Sequence, residues 1–255
     1  MSEVLARLPL LLVIAAYGLF WGWEAIAAQR MVPAQPGRRR GNLLISILSF
    51  VLGGITGTAL LALAVGTSER QWGLLALLHA PPWLCWLLGV LLLDLTDYWR
   101  HRISHAMGWI WALHRVHHTD LAMDVTTSFR NHPLEMLLRA AFLAATTLAF
   151  GIPPMALLLQ PVLMLPVLVF QHANIRLHPT LDSALAWLIV TPGMHVVHHS
   201  RVPAEADSNF ATLFTIWDRV FRTFRQSTPP AVFGVDGFEG ANARTLGAML
   251  ATPWK

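Results

Sequence analysis

The sequence predicts an all-α, polytopic integral membrane bundle with a helical cap on one membrane face, and three observations predict it. Only 13% of the 255 residues are charged while 55% are hydrophobic, against about 25% charged in an ordinary soluble domain. The mean hydropathy is +0.52. Four stretches, residues 8–23, 43–68, 71–93 and 140–175, contain no Asp, Glu, Lys or Arg, and a helix crossing a ~30 Å hydrocarbon core takes about 20 such residues. This composition excludes a disordered chain, which needs low hydrophobicity and high charge. The single cysteine, Cys85, excludes a disulfide scaffold, a Cys-held iron–sulfur cluster and a Cys-based zinc finger. The net charge of +4 comes without a basic stripe. It suits a cytoplasmic membrane face, and no nucleic-acid partner is expected.

The first span, 8–23, ends at Trp21 and Trp23, residues that anchor helices at the membrane interface. A secretory signal peptide competes with this reading, but no net positive charge precedes the apolar run. The next loop holds Arg30, Arg38, Arg39 and Arg40, which places it in the cytoplasm. Span two then leaves and span three returns. Pro81-Pro82 lies inside the third stretch, so its helix is expected to begin there and run through Trp99. The fourth stretch is broken by Pro153-Pro154, with Pro161 and Pro166 beyond. It reads as two shorter helices turning at Gly151–Pro154, a hairpin over 136–171. That parity puts residues 94–135 and 172–225 on one side, expected to be cytoplasmic. Residues 200–255, with charged and Gly/Pro-rich pieces, read as a cap.

Eleven of the twelve histidines lie between positions 101 and 199. They fall as His101 and His105, then His114, His117 and His118, then His172, then His195, His198 and His199, with His132 and His178 standing alone. Residues three and four apart share a helix face, so each His-x-x-His-His set is expected to form one patch of three imidazoles. Neutral imidazole is the commonest metal ligand. Nine nitrogens exceed the roughly four to six of one ion and suit two. The expected site is dinuclear and all-histidine. His132 and His178, each followed by proline, stay open between supporting and substrate-side roles, and His79 reads as structural. Asp94 and Asp97 line one helix face with His101 and His105, as expected of carboxylates that receive the outward N–H of ligating histidines.

Histidine alone does not separate iron from zinc. The His-Glu-x-x-His signature of a zinc hydrolase is absent, paired histidines would be wasted on a haem, and a transporter would hold its ligands near the bilayer midplane. Two metals beside a lipid surface suit oxygen activation against an apolar chain.

The chain resembles the fatty acid hydroxylase / sterol desaturase superfamily of membrane di-iron enzymes. The resemblance rests on Asp94-x-x-Asp97-Tyr98-Trp99-x-His101-Arg102-x-x-His105 and Trp111-x-x-His114-x-x-His117-His118. It continues through Arg130-x-His132-Pro133-x-Glu135, His172-x-Asn174, Thr191-Pro192-x-x-His195-x-x-His198-His199, and Asn209-Phe210 leading to Trp217-Asp218-Arg219-x-Phe221. Two departures, Asn209-Phe210-Ala211 for the usual Asn-Tyr-Gly and Phe221-Arg222-Thr223 for Phe-Gly-Thr, lie outside the histidine boxes. The resemblance implies N-terminal transmembrane helices over 1–93, a catalytic domain over 94–225 and a tail over 226–255. It implies two irons held by His101, His105, His114, His117, His118, His172, His195, His198 and His199, with zinc able to take the same nitrogens in a purified sample. Asp94 and Asp97 would support the ligands, and Asn174 would join the site directly or through water. Dioxygen would be the co-substrate, and the substrate a lipid such as a sterol, fatty acyl chain or ether lipid, hydroxylated or desaturated. With no dinucleotide fingerprint and one cysteine, the electrons imply a separate reductase, ferredoxin or cytochrome. Arg100, Arg102, Arg115, Arg201, Arg219, Arg222 and Arg225 flank the boxes and either steer that donor or face lipid headgroups. The competing class is a non-enzymatic membrane metal protein or transporter.

Overall fold

The computed structural model describes residues 2–32, 35–226, 232–240 and 244–255, with side chains from Arg7 onward, so part of the expected tail lies outside the described residues. Helix α1 (Ser2–Ala27) and helix α2 (Arg38–Glu69) are followed by α3 (Pro82–Ala106) and α4 (Gly108–His118). Then come α5 (Pro133–Phe150), α6 (Pro154–His172), α7 (Pro179–Leu185), α8 (Pro192–His198), α9 (Pro203–Ala206), α10 (Ile216–Val220) and α11 (Leu246–Ala251). The described residues hold isolated β-bridges but no strand. Proline opens α3 and every helix from α5 to α9, where its missing N–H costs nothing and its fixed φ suits the first turn.

Among the described residues, four helices are long and apolar enough to cross a membrane: Arg7–Ala27, Arg38–Glu69, Pro133–Phe150 and Pro154–His172. The hairpin of α5 and α6 turns at Gly151, whose φ of 67° is left-handed. A Cβ there would run into the Trp72 carbonyl, so the turn needs glycine. Pro161 and Pro166 lie inside α6 without ending it, as membrane helices tolerate when neighbours satisfy the freed carbonyls.

The stretch 71–93 departs from a simple span. Residues 71–81 make a turn with one short 3-10 segment, Ala76–Leu78, and the Leu75 amide donates to the Phe150 carbonyl at 2.8 Å beneath the hairpin. The helix begins at Pro82, as expected, but runs past Trp99 to Ala106. Only its first half is apolar; Asp94, Asp97, Arg100 and His101 are buried and carry it into the cap. It therefore falls outside the four candidate spans.

Both ends of the bundle can be located from long-range bonds. Ala28 bridges to Ile175 and Arg38 pairs with Asp120 and Asp124, so α1, α3 and α6 run toward the cap and α2 and α5 away from it. The loop joining α4 to α5 is folded on buried polar groups rather than apolar ones. Arg38, one of the four arginines that marked the loop as cytoplasmic, is buried and donates to Asp120 Oδ2 (2.8 Å) and the Ala122 carbonyl (3.0 Å). Arg130 donates to the Val116 carbonyl (2.8 Å), Asn42 Oδ1 (2.6 Å) and Thr119 Oγ1 (2.8 Å). Buried charges stand only when paired and fully hydrogen-bonded. This network locks the start of α2 to the end of α4, where His117 and His118 lie.

Candidate metal centre

The nine boxed histidines meet in the cap as two sets. His101, His105, His114, His118 and His198 form one, and His117, His172, His195 and His199 the other; in each set the ligand atoms lie within 4.8 Å of one another. The two His-x-x-His-His boxes do not each form one patch as expected. Each is divided, and the division is reciprocal: α4 gives positions i and i+4 to the first set and i+3 to the second, while the box of α8 does the reverse. Helical geometry explains it. Successive residues turn by about 100°, so adjacent histidines at the end of a box diverge. The rings of His117 and His118 stand at 87°, and those of His198 and His199 at 88°.

Proton placement shows what the nitrogens are prepared for. A carbonyl can only accept, so Nδ1–H of His101, His198 and His172 donates to the carbonyls of Phe210 (2.8 Å), Ser208 (2.8 Å) and Leu168 (2.7 Å). His114 Nδ1 meets Glu135 Oε1 at 2.7 Å and His105 Nδ1 meets Asp207 Oδ1 at 3.2 Å. With Nδ1 engaged outward, the bare Nε2 lone pair points inward. In the first set all five Nε2 atoms are buried with no hydrogen-bond partner, an arrangement that would be costly without an acceptor of those lone pairs. In the second set, Nε2 atoms stand 3.1 Å apart for His117–His172, 3.0 Å for His172–His195 and 3.2 Å for His195–His199. Four nitrogens at roughly 2.0–2.1 Å from one ion would be spaced close to this. The donor set fits two ions of a metal that accepts imidazole, and iron is one.

Burial sets the charge state. It pushes His117, His118, His195 and His199 well below the ordinary imidazole value, with neighbouring imidazoles adding to the effect, and His198 down to about 3. All are neutral at pH 7 and free to bind metal. The unfolded chain takes up protons below about 6.5, and the folded chain refuses them until far lower. Stability should therefore fall as pH drops from 6.5 toward 3, with a slope approaching ~1.4 kcal/mol per pH unit for each such histidine. Burial pushes Asp94 up to about 7, Asp218 up to about 6 and Asp207 upward, and these work in the opposite direction, but they are three groups against five. Thermal unfolding of the purified protein at stepped pH should show a midpoint falling steeply below 6.5; a flat profile from pH 7 to 5 would contradict it.

The fatty acid hydroxylase family model matches residues 86–223, more than half of the chain and every boxed histidine. The chain belongs to the fatty acid hydroxylase family. Among its relatives, the alkylglycerol monooxygenase of Xenopus tropicalis is 30% identical over 84% of this chain and 45% of its own length. The human alkylglycerol monooxygenase is 28% identical over 80% of the chain and 45% of its own. The ornithine lipid hydroxylase of Rhizobium tropici is 26% identical over 66% of the chain and 49% of its own. The chain thus spans about half the length of the curated relatives it matches. No solved structure matches it.

Within this family site, the structure brings the nine histidines together and gives the side chains of three other expected residues to partners other than histidine. Asp94 accepts from Trp217 Nε1 (2.7 Å), the Phe214 amide (3.1 Å) and Thr212 Oγ1 (3.3 Å). Asp97 is held by Arg139 (2.7 and 2.6 Å) and Gln160 (3.0 Å). Neither has a hydrogen bond to a histidine, because partners from distant segments reach these carboxylates first. Asn174 joins residues 172–175 to the end of α1: its Oδ1 accepts from the Arg30 amide (3.0 Å), its Nδ2 donates to the Arg30 carbonyl (2.8 Å), and its own amide donates to Glu24 (2.6 Å).

Among the described residues, the carboxylates that do reach boxed histidines are Glu135 and Asp207. Glu135 is buried and also accepts from Arg100 at 3.0 Å. Its place in Arg130-x-His132-Pro133-x-Glu135 was the signal; Asp207 carried none. His132 starts α5, with Nδ1 accepting from the Leu134 amide and Nε2 donating to the Leu250 carbonyl, both at 3.2 Å. His178 and His79 make only local contacts, to Thr180 and Leu77. Of the flanking arginines, Arg100 and Arg201 are engaged with carboxylates of the chain, and Arg115 with the Thr252 carbonyl and the Phe238 ring. On the bundle side, a cavity of about 110 Å³ reaches both sets between Phe129, Met136, Met164, Leu165 and Leu168. On the cap side, His105 and His118 border a wider groove with Trp111 and Asp207.

Proposed function

We propose that this chain is a membrane-bound, dioxygen-dependent di-iron oxygenase that hydroxylates a C–H bond of a lipid. The observation that carries the reading is the pair of converging histidine sets, with Nδ1 of His101, His105, His114, His172 and His198 engaged outward and all five Nε2 atoms of the first set left bare. His101, His105, His114, His118 and His198 would hold one iron and His117, His172, His195 and His199 the other. Bound there, two irons supply the oxidising power for an unactivated C–H bond, with the stoichiometry RH + O2 + 2e⁻ + 2H⁺ → ROH + H2O.

The chain's own residues orient and enclose. Glu135 and Asp207 fix the tautomers of His114 and His105, and the carbonyls of Phe210, Ser208 and Leu168 do the same for His101, His198 and His172. Phe129, Met136, Met164, Leu165 and Leu168 offer an apolar wall for an alkyl chain beside the nitrogens and exclude water from it. Asp97, pinned by Arg139 and Gln160, lines the same cavity and keeps α3, α5 and α6 in register around it. Residues 94–225 would form the catalytic part, on the cytoplasmic side to which Arg30, Arg39 and Arg40 point. The two electrons come from a separate reductase, ferredoxin or cytochrome. The names of the relatives direct the first assays to alkylglycerols and ornithine lipids, with hydroxylation favoured over desaturation.

Lipids of cells with and without the protein should differ by a species that has gained one oxygen, and the purified protein should hold close to two irons per chain. A product lacking two hydrogens would redirect the reading to desaturation. An active preparation free of iron and replete with zinc would refute it.

A further inference from the structure

The Trp217-Asp218-Arg219 segment leaves one residue without a task. Trp217 reaches Asp94, and Asp218 accepts from the Phe210 and Ala211 amides at 2.8 and 3.0 Å. The guanidinium of Arg219 does something different. It lies between the rings of Trp187 and Phe224, 3.8 and 4.0 Å from their centroids. One nitrogen donates to the Ala186 carbonyl at 2.8 Å, while Nε–H is buried with no partner. A cation clamped between two aromatic faces loses little further freedom when it binds an anion.

Arg219 lines a groove of about 290 Å³ together with Arg176 and Arg225. Among the described residues, no carboxylate lies within ion-pairing distance of any of the three, whereas Arg38, Arg39, Arg100, Arg139 and Arg201 each hold one. Asp182 is the one acidic group on the lining, and its carboxylate lies against Gly193 in the first turn of α8. The place of the groove is equally informative. Gln29 and Ile175 line it, so it lies where α1 and α6 leave the bundle. On α7 and just beyond it, Leu181, Trp187 and Leu188 are 49%, 71% and 62% exposed. Large apolar side chains standing out beside a cationic hollow at this depth are what an interfacial segment presents to acyl chains and headgroups.

We propose that this groove binds the phosphate of an anionic phospholipid, with Arg219 as the fixed cation, Arg176 and Arg225 as its flanking partners, and Leu181, Trp187 and Leu188 inserted among the acyl chains. It is a site separate from the histidine sets: none of the nine histidines lines it. Arginine and phosphate form charge-assisted, often paired hydrogen bonds, and the surface of an anionic leaflet adds to the attraction.

The test uses the full chain in detergent, titrated with short-chain phosphatidylglycerol or phosphatidylcholine of identical acyl length and read by native mass spectrometry. Wild-type protein should retain phosphatidylglycerol at least ~10-fold more tightly, a difference of about 1.4 kcal/mol. Arg219→Gln should bring the two lipids near parity. Because Arg219 also packs between two rings, the Arg176→Gln/Arg225→Gln double variant serves as a second measure, and it should lose most of the preference with an unchanged melting temperature. The proposal is overturned by equal retention of both lipids in wild type, or by a preference that survives in both variants. Inorganic phosphate that displaces phosphatidylglycerol at equal concentration would make this a free-phosphate site and overturn the lipid assignment.

Discussion

Alanine at His198 is expected to abolish oxygen-dependent lipid product, with expression and membrane insertion intact. The side chain gives Nε2 to the first set while its Nδ1–H is anchored on the Ser208 carbonyl, so truncation removes one preset donor and cannot be compensated by rotation of a neighbour. Loss of an outer hydrogen-bonding partner alone typically costs about 10–100-fold in metal affinity or activity; loss of the donor itself should exceed ~100-fold. Iron should fall from near two toward one per chain by elemental analysis. His117→Ala should give the same result through the second set. Wild-type product with full iron in either variant would remove that residue from the ligands.

Glu135→Ala should come close to this effect without touching a ligand. Glu135 lies at the start of a membrane helix, is buried, and accepts from both His114 and Arg100. Its removal frees the His114 ring to turn and leaves the Arg100 guanidinium short of its carboxylate. Removing one partner of a buried pair costs roughly 3–5 kcal/mol, so a lowered melting temperature accompanies the loss of function. Glu135→Gln separates the two effects. It keeps an acceptor for His114, so activity should fall about 10–100-fold at limiting iron and recover in part as iron is raised. A purely structural role predicts no response to iron. Asp207→Asn should be milder, because that carboxylate is 62% exposed and water can take its place.

The spans and the centre were legible for different reasons. Charge-free runs mark helices directly because the hydrocarbon core admits few charges, and the turn at Gly151 announces itself by its two following prolines. Histidine spacing likewise reports a helix face, which is a local property. What stayed hidden depends on contacts across the chain. Asp94 and Asp97 do lie on α3 with His101 and His105, yet Trp217 and Arg139, more than a hundred and about forty positions away, take them. The carbonyls of Phe210 and Ser208 that set two tautomers have no side-chain signature at all. Asn174 looked like a ligand from its distance of two from His172, but its amide serves the junction with α1. Arg38 looked like a cytoplasmic charge, and only the fold reveals Asp120 and Asp124 around it.

The reciprocal sharing of the two boxes makes the helix itself a ruler. His114 and His117 are three residues apart on α4, a rise of about 4.5 Å along the axis, and they belong to different sets; His195 and His198 do the same on the facing segment. The spacing of the two sets is therefore written into peptide geometry rather than into loops. A single residue inserted within either box would turn everything beyond it by about 100° and disturb both sets at once. Between the boxes no such constraint applies to the loops at the cap-distal ends of the helices, which carry none of the nine histidines and can change length without being felt at the two sets. Tolerance to length change should follow that division: nearly none inside two five-residue windows, and ample room outside the histidine-bearing helices and the polar loop that braces them.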